Sequence, residues 1–140
     1  MFKKVLFCLF SFILFSPINF VSAEEEEEVV DAAPDYQYFA FEPDIITNYI
    51  KTGKHLGYIR LGVDLMVKSA DNYAEVETHE PLIRDRIITI LGEQTEAQIK
   101  SITEREVIRT RCLTEANDAI FKITGNRPIE NLLFTKYLEQ

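Results

Sequence analysis

The strongest constraint in this chain is an alternation. In residues 56–68, Ile59, Leu61, Val63, Leu65 and Val67 occupy every second position, while Arg60, Asp64 and Lys68 fall between them. A strand turns successive side chains to opposite faces, so five apolar side chains share one face and the charges share the other. One dry face and one wet face imply antiparallel pairing, with helices packed on a single side. Gly57 and Gly62 interrupt the run and read either as bulges or as tolerated glycines on the exposed face.

The neighbouring segments extend this scheme. Residues 36–41, YQYFAF, are aromatic and alternating, an edge strand stopped by Pro43. Residues 45–50 form a second short strand, and Lys51, Thr52, Gly53 and Lys54 supply hairpin turn chemistry. A helix starts near Ser69. Another occupies residues 80–94, EPLIRDRIITILGEQ, with Ile83, Ile87, Ile90 and Leu91 along one stripe, Pro81 in its first turn and Gly92 at its end. A kink or short break is expected where the two meet.

Thr95 with Gln98, and Thr103 with Glu106, both match the capping-box pattern. The first opens a short helix. The second opens a long one over residues 104–124, striped by Ile108, Cys112, Ala116, Ile120 and Ile123, with Gly125 as a left-handed cap. Residues 129–139 return as a strand with Leu132, Phe134, Lys136 and Leu138 on one side. The expected class is α+β, an antiparallel sheet with helices on one side in the order β-β-β-α-α-β.

The first residues read as an export signal. Lys3 and Lys4 precede an apolar run at 5–15, then Pro17, Asn19 and the small-residue site ending at Ala23. The apolar run is shorter than the roughly 20 residues a membrane helix needs. Residues 1–23 are therefore expected to be a signal peptide cleaved after Ala23, the alternative being a short membrane anchor. Residues 24–35 read as an acidic tether and 36–140 as one domain.

Charge and composition exclude several function classes. The net charge is −8, and removal of Lys3 and Lys4 with the signal leaves −10. Nucleic-acid binding needs a basic footprint, and here only Arg105, Arg109 and Arg111 are dense enough to be considered. They read as a solvated helix face. Past the signal Cys112 is the single cysteine, a small buried hydrophobe on the helix stripe. His55 and His79 are too few and too far apart to suggest zinc, and Ser69 and Ser101 sit where helix caps are expected. No metal or cofactor is expected. The reading is a binding or structural module, with no catalytic residue to name.

The helical stretch carries more than periodicity. His79-Glu80-Pro81-Leu82-Ile83-Arg84-Asp85-Arg86-Ile87-Ile88, running on to Ile90-Leu91-Gly92, resembles the central motif of the FliL family of flagellar basal-body-associated proteins. The YFAFEP segment at 38–43, the alternating strand at 57–67 and the terminal LLFTKYLEQ at 132–140 resemble further family segments in order and spacing. This resemblance implies a periplasmic domain of stomatin-like (SPFH-like) fold that packs into a ring or arc around flagellar stator units. Its implied partners are further copies of itself, the periplasmic region of the MotB-type stator subunit, the basal body, and an anchored FliL paralogue if the signal is cut. The inner membrane joins that set if the signal is retained.

The resemblance brings no cofactor and no catalysis. Arg84 and Asp85 match the motif's polar centre and, with Arg86, are the candidate oligomer or partner interface. Pairing within the domain is the other reading of the same residues. A general periplasmic scaffold of the same fold, unrelated to the motor, is the alternative function.

Overall fold

A computed structural model describes residues 34–53 and 55–140. The signal peptide, the cleavage site at Ala23 and nearly all of the acidic tether lie outside the described residues. The chain forms β1 (Gln37–Ala40), β2 (Ile45–Tyr49), β3 (Gly57–Val67), α1 (Ala70–Thr78), α2 (Glu80–Gly92), α3 (Glu96–Lys100), α4 (Ile102–Thr124) and β4 (Asn131–Glu139). The class is α+β with an open antiparallel sheet; all four helical segments read in the sequence form, although the expected order counts only two.

β3 is the middle of that sheet. β4 pairs along one side of it, while β1 and β2 share the other side end to end. Ala40 faces Asp64 and Ile45 faces Leu61. Five steps along this edge thus answer three along β3, and the surplus is taken up at Phe41–Asp44, around Pro43. β1 and β2 are therefore one long edge with an insertion, not two rungs of a meander.

The alternation read in the sequence holds. Ile59, Leu61, Val63, Leu65 and Val67 are all buried, together with Ile45 and Tyr49 from β2 and Leu132 from β4. Against them pack Val76 of α1, Ile83, Ile87, Ile90 and Leu91 of α2, Ile99 of α3, and Ile108, Cys112, Ala116 and Ile120 of α4. Ile123, placed on the same stripe, is 64% exposed in the last turn of α4.

Period-two reading fails in β4. Val63 faces Phe134, but Gly62 faces Lys136, so Thr135 is the extra residue of a bulge. A slip of one residue exchanges faces. Leu132 and Phe134 consequently look to the core with Tyr137, while Lys136 and Leu138 look outward. Gly62 is required here: a Cβ on it would lie 2.7 Å from Thr135 Oγ1 and 2.9 Å from Lys136 Cβ.

The helix ends follow local chemistry. Ser69 caps α1 by accepting from the Asn72 amide, and the Thr95–Gln98 capping box is complete. The cap of α4 is Ser101, which accepts from the Glu104 amide, so Thr103 lies inside the helix and its capping-box pattern is incidental. α1 and α2 break at His79, whose amide bonds to the Glu75 carbonyl. Gly125 has φ 75° and closes α4 in the left-handed form, as expected; Gly92 ends α2 without positive φ.

On the outer face Asp44, inside the β1–β2 insertion, accepts from Arg60 Nε at 2.6 Å and Lys136 Nζ at 2.8 Å. One carboxylate thereby ties the insertion to β3 and β4. The Lys136 ammonium first, and then the Arg60 guanidinium, hold its carboxyl below the ordinary value of 3.8. A depressed folded-state pKa adds stability that is present above the unfolded value and lost as pH falls through the folded one. In denaturant melts the gap between wild type and Asp44→Asn should be constant above about pH 5 and shrink progressively below about pH 4.

Candidate functional site

α2 carries the motif singled out in the sequence, and its helical spacing separates the motif's three charges. Ile83, Ile87, Ile90 and Leu91 lie against the sheet. Arg84 sits at the flank of that buried stripe and turns inward. Its Nε donates to Glu80 Oε1 at 2.6 Å, and its Nη1 donates to the Pro43 carbonyl at 2.9 Å. The guanidinium carbon also stands 5.0 Å from the Phe41 ring centroid. Arg84 is thus a clamp between α2 and the β1–β2 insertion, bonded within the domain. Asp85 and Arg86 are exposed.

The arginines of α4 do not make a basic patch. Arg109 reaches across to β4, where Nη1 donates to Asn131 Oδ1 at 2.7 Å and to the Leu132 carbonyl at 2.8 Å, while Glu106 holds its other donors. Arg111 bridges Glu115 and Glu93. Arg105 lies over the Tyr137 ring, its guanidinium carbon 4.0 Å from the centroid. Burial raises the Tyr137 phenol above its ordinary value, and its hydroxyl donates to the Ile99 carbonyl at 3.0 Å. The solvated-face reading therefore fails for Arg109 and Arg105, because a helix packed over a sheet margin offers its flanking arginines to strand backbone and to aromatic rings.

Thr47, Gln94 and Asn117 are buried polar residues that sequence reasoning missed, and Asn117 has the most structural consequence. Asn117 of α4 donates from Nδ2 to the Ile129 carbonyl at 2.8 Å and accepts the Ile129 amide on Oδ1 at 3.1 Å. A side-chain amide thus completes a peptide group where the chain turns from α4 into β4. An asparagine interrupting the apolar stripe, between Ala116 and Ile120, was the available signal.

Burial pushes the Cys112 thiol up to about 12, which keeps it protonated and poorly nucleophilic at neutral pH. Among the described residues no cluster of three or more His, Cys, Asp and Glu could hold a metal. His55 lies at the hairpin and His79 between α1 and α2. No helix among the described residues is long and apolar enough to cross a membrane.

What the domain does present is apolar surface. On the outer face of the sheet Ile46 and Leu138 flank Arg60, one pairing with it from β2 and the other from β4, with Tyr58 next along β3. Ile46, Tyr58 and Leu138 are 66%, 50% and 55% exposed. Exposed apolar residues grouped in this way are a candidate contact surface.

Comparison with known proteins agrees in extent with this folded unit. Residues 38–140 match the family described as flagellar basal body-associated protein FliL. The "Flagellar protein FliL" of Aquifex aeolicus (strain VF5) is 28% identical over 102 residues, which make up 73% of this chain and 60% of that protein. The aligned part therefore spans less than two thirds of that relative. The family match reaches from the first strand through the α2 motif to the last residue of the chain. Because it takes in each strand and helix described above, and not the α2 motif alone, this chain belongs to the FliL family of flagellar basal-body-associated proteins.

Proposed function

We propose that this protein is a non-enzymatic accessory of the flagellar motor. In this reading it works in the periplasm, where copies assemble into a ring or arc around stator units near the MotB-type subunit and support torque and motility. The observation that carries the proposal is the family match over the whole folded unit. The exposed apolar surface on the outer sheet face supports it, since an assembling domain needs area to bury.

A stomatin-like (SPFH-like) fold belongs to the same reading, as do a cleaved export signal and an anchored paralogue as neighbour. With the signal retained, the same domain would hang from the inner membrane. Asp85 and Arg86 are the motif charges left for contact with a neighbour, and exposed ion pairs of this kind contribute about 0–1 kcal/mol and act mainly in partner choice. Arg84 is assigned to the domain's own integrity.

The test is cellular position. A periplasm-competent fluorescent tag on the protein should give foci at flagellar bases, and those foci should disappear when the stators are deleted. Diffuse periplasmic signal that is indifferent to stators would replace the motor reading with a scaffold that reuses the fold.

A further inference from the structure

α4 buries one face and leaves the opposite face bare. Ile108, Cys112, Ala116 and Ile120 lie against the core. Each residue of a helix turns the chain by about 100°, so Val107, Thr114 and Phe121, seven apart, fall nearly in line on the outward side. Val107 is 56% exposed and Phe121 46%. An outward stripe on a surface helix is ordinarily charged, and this one is not. Thr114 uses its hydroxyl internally, where Oγ1 donates to the Thr110 carbonyl at 3.0 Å. The Phe121 ring is held by Arg127, whose guanidinium carbon stands 4.8 Å from its centroid.

Charges of opposite sign stand on either side of the midpoint of this line. Arg111 lies three residues before Thr114 and Asp118 four after it, and helical spacing puts both on one flank. Within the domain Arg111 bridges Glu93 and Glu115, while Asp118 pairs with Arg127. A second α4, running antiparallel about a twofold axis at Thr114, answers each feature with its complement. Val107 comes opposite Phe121 of the second copy, and the same contact recurs at the other end. Arg111 comes beside Asp118 of the second copy, offset along the axis by about 1.5 Å. A parallel pair would set Arg111 against Arg111 and Asp118 against Asp118.

We propose that α4 docks antiparallel on α4 of a second copy of this chain, across a twofold axis at Thr114. A second copy is the occupant because the stripe and its charged flank are self-complementary about one residue. From Val107 to Phe121 the stripe is about 21 Å long, so the buried area falls short of the roughly 800 Å² per partner of a standard stable interface. The contact is therefore weak and forms where copies are concentrated. Being isologous, it closes at two copies and does not by itself propagate a ring or arc. It stands equally for a motor accessory and for a scaffold.

The experiment places single cysteines on the stripe of the full chain and reads disulfide-linked dimers on non-reducing gels after mild oxidation at high protein concentration. Helices packed about 8–10 Å apart bring facing Cα atoms into disulfide range. Thr114→Cys should dimerise several-fold above wild type, whose Cys112 is buried. Val107→Cys and Phe121→Cys should each stay near background alone, because like positions lie about 21 Å apart, and should crosslink when mixed. In the Thr114→Cys chain, Arg111→Glu should lower the yield several-fold, and adding Asp118→Arg should restore it. Thr114, Val107, Phe121 and Arg111 are all exposed, so these changes leave the core intact. No dimer of Thr114→Cys above wild type would overturn the proposal. So would crosslinking of Val107→Cys alone as readily as the mixture, or charge exchange without rescue.

Discussion

Gly57→Ala is expected to destabilise the domain by about 2–3 kcal/mol, the upper part of the range for overpacking a filled core. Gly57 lies directly opposite Tyr49, whose ring fills the space a side chain would take. A Cβ there would stand 2.2 Å from Tyr49 Cζ and 2.3 Å from Cε2. The ring cannot step aside, because Tyr49 is 2% exposed and its hydroxyl donates to the Gln140 carbonyl at 3.1 Å. For a domain of this size the melting temperature should fall by about 10 °C or more. Thermal melts check this, and Tyr49→Ala supplies the control. Once the ring is gone the three nearest atoms to the added methyl are gone with it, so the double variant should be distinctly less than additive. Strict additivity would mean that the ring is not the obstacle.

Asn117→Ala should cost about 2–6 kcal/mol, because it strands both the amide and the carbonyl of Ile129 in a buried position at about 1–3 kcal/mol each. Asn117 is 8% exposed and Ile129 4%, which leaves water little access to replace either bond. Asn117→Asp keeps the acceptor, loses the donor and adds a buried charge, so it should be no better than alanine at neutral pH. Urea melts give the magnitude. Hydrogen exchange at the Ile129 amide gives the location, and faster exchange there than in β3 would place the loosening at the α4–β4 junction. A cost under about 1 kcal/mol would show that the junction relaxes to find other partners.

The glycines of β3 show where sequence reading stops. Gly57 and Gly62 both stand out in an otherwise alternating strand, and bulge and tolerance were equally good readings of them. Their actual reasons differ: Gly57 makes room for a ring from β2, and Gly62 for the bulged backbone of β4. Each partner is distant in sequence, so no local pattern separates the two cases. The same holds for the α2 motif. Its charges were legible as a group, but only the packing of α2 against the β1–β2 insertion turns Arg84 inward and leaves Asp85 and Arg86 outside.

By itself the sequence determined the elements and their dry faces. The run from Ile59 to Val67 dictates a half-buried strand, the Ile83–Ile87–Ile90–Leu91 stripe a helix lying on it, and the caps at Ser69, Thr95 and Gly125 where helices start or stop. Such features are set by side-chain periodicity and by unpaired backbone groups within a few residues, so they are written locally. Tertiary structure alone decided that β1 and β2 form one edge, that Lys136 and Leu138 leave the core face, and that Arg109 and Arg105 serve β4 while Asn117 serves the turn into it. The physical reason is common to all three. A one-residue bulge, an insertion opposite a strand and a side chain reaching a distant peptide are each fixed by what stands across the gap, and that neighbour is chosen only when the chain has folded.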